Sequence, residues 1–235
     1  MSVSKRKIFS IIIFCAVLPV LVTAGYFLTK GRQFLLMSLI VAAAAMLPFF
    51  LSLERKKLQV RELVITASVV ALSAASRTAF FFLPQIKPMC AVLIMAAVPF
   101  GSEFGFITGA LSMLVSNIMY GQGMWTPFQM LGMGMTVFVS SLIIRRFCRG
   151  NRFAAGITGG LACFVCYGLT VDTGSALMML TKFTPKAMLS VYLSGITFNV
   201  IHAVTTAVLI ALFFPAINEK LDRIKIKYGL FGEKQ

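Results

Sequence analysis

The chain has 235 residues, of which 59% are hydrophobic and only 12% charged; a soluble domain carries about 25% charged residues, so that class is excluded. A net charge of +15 raises nucleic acid as a partner. The Lys and Arg residues nevertheless sit at the ends of apolar runs, where membrane helices collect them, and no nucleic acid is expected.

The apolar runs predict an all-α integral membrane protein of about eight spans. The first, Ile8–Leu28, follows Lys5-Arg6-Lys7, and the second, Phe34–Leu53, follows Gly31-Arg32. Ile8–Leu28 is longer than a signal-peptide core and a second span follows almost at once, so an uncleaved helix is expected. The charged stretch from Glu54 to Glu62 separates this pair from six later spans. These run roughly over Leu63–Leu83, Pro88–Phe100, Phe104–Tyr120, Phe128–Ile144, Phe153–Val171 and Pro185–Phe214, with a basic tail over 217–235. Sixteen of the 22 basic residues fall on one side if the N-terminus is cytoplasmic, which puts both termini inside and the loops Pro84–Lys87, Tyr120–Pro127 and Asp172–Thr184 outside.

Within the Leu63 span, Ala67, Ala71 and Ala75 recur every fourth residue and build a smooth ridge suited to close helix contact. Gly101, Gly105 and Gly109 repeat the pattern. Arg77 points away from the alanine ridge and has two readings: it snorkels to the interface, or with Lys87 it offers positive charge to an outward pocket. The segment from Asn117 to Gln129 ends a span in amides, glycines and aromatics, including the only tryptophan, Trp125. Trp125 can anchor at the interface, but Asn117, Gln122, Thr126 and Gln129 flank it and favour ligand contact, with Tyr120 a further candidate contact. Gly121 and Gly123 add backbone freedom, and Pro127 suits a first helical turn. Asp172 reads as a solvated turn residue or as a carboxylate meeting a ligand's amide or amine.

None of the seven carboxylates is expected in the middle of a span, where ion-coupled carriers need them, and no nucleotide-binding loop is present. No energy source is therefore expected in this chain. The single histidine, His202, shares a helix face with Asn199 and has no evident triad partner, so it reads as structural or as a ligand contact. Cys163-x-x-Cys166 has no second pair and no nearby histidine in the sequence, and no metal site or cofactor is expected.

Residues 61–216 resemble the substrate-binding S component of energy-coupling-factor (ECF) vitamin transporters. The resemblance rests on Arg61-Glu-Leu leading into the alanine ridge, on Arg77-Thr-Ala-Phe-Phe-Phe-Leu-Pro-Gln-Ile-Lys-Pro88, on Glu103-Phe-Gly-Phe-Ile-Thr-Gly-Ala-Leu-Ser112, and on Val115 to Met130 with its Gly-Gln-Gly-Met-Trp-Thr-Pro stretch. It implies a six-helix core, a vitamin captured near the extracellular face, and assembly with a membrane coupling (T) subunit and two ATPases. Ala67, Ala71 and Ala75 would contact the coupling subunit. The Trp-Thr-Pro loop and the Phe80–Pro88 segment most resemble members assigned to cobalamin. Residues 1–60 lie outside the six-helix pattern. The competing readings are a stand-alone facilitator or channel for a small solute and, with fewer residues to support it, an intramembrane enzyme of lipid metabolism.

Overall fold

The computed structural model describes residues 59–84, 86–148 and 150–231, together with positions 39, 40, 43, 44, 46 and 47. The expected N-terminal helix pair lies, apart from those six positions, outside the described residues. From residue 59 onward the chain is all helix and connection, in six successive helices: α1 (Val60–Ala79), α2 (Met89–Phe100), α3 (Ser102–Tyr120), α4 (Thr126–Phe147), α5 (Arg152–Met179) and α6 (Pro185–Tyr228). A stretch of π-helix, Cys163–Gly168, interrupts α5.

The distribution of polarity shows which solvent this bundle meets. Ser73, Thr108, Ser112, Ser116, Thr136, Ser140, Ser141 and Thr206 are fully buried, whereas Leu63, Val64, Leu72, Phe153, Ile157, Leu161, Val204 and Leu212 are exposed. Buried hydroxyls such as those of Thr108, Thr136 and Ser140 bond to carbonyls one turn back on their own helices, as polar groups without water must. Four helices, α1, α4, α5 and α6, are long and apolar enough to cross a membrane.

Helix α2 cannot do so alone. Its twelve residues rise about 18 Å, short of the roughly 30 Å hydrocarbon layer. It is apolar on every side and buried throughout except at Val92, which makes it the axis around which the others pack. Gly109 of α3 faces Gly134 of α4 so closely that a Cβ on Gly109 would stand 3.0 Å from the Gly134 Cα. The expected glycine repeat thus serves the α3–α4 seam.

Three boundaries differ from expectation. Helix α1 stops at Ala79, and Phe80–Pro84 form turns rather than a last helical turn. Helix α5 continues to Met179, so Asp172 is inside a span and not at the head of a loop. Helix α6 runs without a break past the expected tail boundary to Tyr228, with Pro215 inside it. Its end packs back on the bundle: Lys225 Nζ donates to the Pro99 carbonyl at 2.6 Å, and the Phe231 N–H donates to Glu62 at 2.6 Å.

Candidate functional site

Helices α1, α3 and α4 meet through a polar seam at the end of the bundle opposite Glu62. Arg77, in the last turn of α1, donates through one guanidinium nitrogen to Ser116 Oγ at 2.6 Å and to Asn117 Oδ1 at 2.9 Å. Its charge also lies 4.6 Å from the centre of the Tyr120 ring, a favourable cation–π distance. Asn117 is buried and extends the chain of bonds, donating to Gln129 Oε1 at 2.7 Å and to Thr126 Oγ1 at 3.2 Å. Because Gln129 accepts through its carbonyl oxygen, its NH₂ remains as a donor group.

Beside this seam is a cavity of about 290 Å³. Arg77, Lys87 and Gln129 contribute to its lining from one side, and Asp172, Asn199 and His202 from α5 and α6, with Tyr167 between. Met89, Met113, Met133, Val171 and Phe198 supply apolar surface. Lys87 Nζ donates to the carbonyls of Phe80, Phe81 and Leu83, which holds the turns after α1 over the cavity. Burial pushes its ammonium below the ordinary lysine range, and the neighbouring Arg77 charge adds to the shift.

The facing wall depends on two glycines. Asp172 accepts a 2.7 Å bond from Asn199 Nδ2. A Cβ at Gly195 would stand 2.5 Å from an Asp172 carboxylate oxygen, and one at Gly168 would stand 2.8 Å from the Asn199 amide carbon. Neither polar side chain could occupy its place if these glycines were larger. The π stretch of α5 places Tyr167 against His202, ring edge to ring face at 5.3 Å; such insertions recur at functional sites.

The seven residues expected at the site therefore divide. Arg77, Gln129 and Asp172 line the cavity. Asn117 and Tyr120 stand behind Arg77 and hold it, the Tyr120 hydroxyl donating to the Arg77 carbonyl at 3.3 Å. Gln122 and Trp125 are outside the lining. Gln122 donates to the Leu114 carbonyl and accepts from Thr126. The Trp125 ring covers Gly123 at 2.5 Å from where a Cβ would be, so this glycine makes room for the indole. Arg77 points inward, which removes the interfacial reading, and Asp172 is buried, which removes the solvated-turn reading. Lys87, Asn199 and His202 carried only side roles in the sequence, and Tyr167 none. Gly195, Phe198, Asn199 and His202 recur at helical spacing on α6, and Tyr167 and Val171 on α5. Those two faces were the available signal.

Residues 57–219 match the family described as ECF-type riboflavin transporter, S component. No curated protein and no solved structure matches the chain. The chain belongs to this family. It is a multi-pass membrane subunit that binds a substrate, and it is not an enzyme. The match names riboflavin and does not support the cobalamin-type assignment, which rested on the Trp-Thr-Pro loop and the Phe80–Pro88 segment; of these, Trp125 lies outside the cavity and Lys87 lines it.

Proposed function

We propose that this S component captures riboflavin at the outer face of the membrane and passes it inward together with a coupling subunit and two ATPases. The family's description supports the choice of vitamin, and the opposed walls of the cavity carry it. A flavin's pyrimidine edge offers carbonyl acceptors on either side of an N–H donor. Arg77 and Gln129 present donors, with the Lys87 charge beside them, and Asp172 and Asn199 present acceptors across from them. The methionines and Phe198 suit the apolar rings, since thioethers pack well on aromatic faces. The volume, at the lower edge of the roughly 300–1,000 Å³ usual for small ligands, suits a tricyclic vitamin and is too small to enclose a corrinoid.

The direction of capture follows from charge. The cavity is at the Arg77 end of the bundle, opposite Arg145, Arg146 and Arg152. Those basic residues mark the cytoplasmic side, so the cavity faces out; the excess of Lys and Arg counted along the sequence supports cytoplasmic termini. Ala67, Ala71 and Ala75 are all exposed on α1. A strip of methyl groups facing lipid allows another helix to approach closely, which suits the coupling subunit. The deciding experiment is a fluorescence titration of the purified chain with riboflavin, with cobalamin as competitor. Quenching of flavin emission at one site per chain, unaffected by cobalamin, is expected. Binding of cobalamin in place of riboflavin would overturn the assignment.

A further inference from the structure

Behind the cavity floor, three side chains from three different helices converge. Cys90 of α2, Cys163 at the start of the π stretch in α5 and His202 of α6 place their ligand atoms all within 4.8 Å of one another. Each is buried, Cys90 and Cys163 almost completely. His202 is only 6% exposed, and its ring lies against the Cys163 thiol. One turn further along α6, Thr206 Oγ1 is fully buried beside both sulfurs. An imidazole set against two thiols in a water-free interior is a ready donor set for a cation.

We propose that Cys90, Cys163 and His202 form a zinc site. Two sulfurs and an imidazole are a soft donor set, which selects against calcium and magnesium. Ordinary bond lengths of about 2.3 Å to sulfur and 2.0 Å to nitrogen bring tetrahedral ligands to within roughly 4 Å of one another. The cluster needs to contract only slightly. Binding breaks both S–H bonds and releases two protons, leaving neutral His202 as the third ligand. Two thiolates then cancel the charge of Zn²⁺, and the complex sits uncharged in a low-dielectric interior. The fourth position is open to Thr206 Oγ1 or to water from the cavity, which His202 also lines. The ion joins α2, α5 and α6 beneath the ligand cavity. Sequence spacing hides this site, because Cys90, Cys163 and His202 are dispersed along the chain and the visible Cys-x-x-Cys pair contributes only one of its members.

The test uses the full chain, purified in detergent, reduced, and stripped with a chelator. Zinc is titrated against a chromophoric competitor, and cobalt(II) is added separately as a spectroscopic probe. One zinc per chain is expected, with release of two protons and a thiolate-to-cobalt charge-transfer band. Cys90→Ser and Cys163→Ser should each weaken zinc binding beyond the roughly 10–100-fold typical of losing an outer-shell partner, while Cys148→Ser and Cys166→Ser leave it unchanged. If the serine variants do not fold, the cobalt spectrum of the unaltered chain decides. Absence of the thiolate band with all thiols shown to be reduced overturns the site. So does zinc binding that survives both serine substitutions, or binding of copper(I) without zinc.

Discussion

The two faces of α1 obey different rules although they share one helix. Inward, Ser73 is buried and Arg77 reaches Ser116 and Asn117, a chain of directed bonds in which each member has a defined partner. Outward, Ala67, Ala71 and Ala75 are exposed and have nothing directional to offer. In water the pattern would be reversed. In lipid, the inner face can hold charge because neighbouring helices satisfy it, and the outer face can bind only by shape. One face is suited to recognising a small polar molecule and the other to recognising another helix.

That division can be broken in order of severity. Arg77→Ala removes the central donor of the inner network and strands Asn117 Oδ1. Riboflavin affinity should fall on the order of 100-fold, the scale of a lost charged hydrogen bond, with co-purification of the coupling module intact. Ala71→Leu should do the opposite: riboflavin affinity stays within about twofold, while transport in vesicles with the coupling module falls about tenfold or more, as bulk separates helices that meet on small residues. If both variants damage the same property, the two faces are not separate devices.

Smaller effects sharpen the picture of the inner face. Gly195→Ala puts a methyl against the Asp172 carboxylate and should weaken riboflavin by about tenfold, a displacement cost of roughly 1–2 kcal/mol; isothermal titration gives the number. Trp125→Ala should cost only about threefold, since the indole supports the loop from outside the cavity and most such indirect changes are modest. A loss as large as that of Arg77→Ala would place Trp125 in contact with ligand after all.

Much of the architecture is visible in the chain itself. Apolar runs bounded by Lys and Arg mark the helices, and the starts of α2, α3, α4 and α6 fall within about two residues of their expected positions, within the usual uncertainty of helix ends. Asp172 shows where that reading weakens. An acid after an apolar run looks like the start of a loop, yet here Asn199, 27 residues later, supplies its hydrogen bond, and the helix continues. The Cys163–Gly168 π stretch is equally hidden, since nothing in Cys-Phe-Val-Cys-Tyr-Gly distinguishes it from ordinary helix.

The site divides along the same line. Arg77, Asn117 and Gln129 are legible because polar groups at the ends of apolar spans must have partners. Tyr167, Asn199, Gly195 and the Cys90–Cys163–His202 cluster are not, because each acquires its role from a residue on another helix. What sequence by itself determined was the solvent of this protein: composition and charge spacing place helices in lipid, since hydrocarbon admits little else. Which polar residue meets which was decided only when six helices packed. Directed bonds reach about 3 Å, and only folding brings groups tens or hundreds of residues apart within that distance.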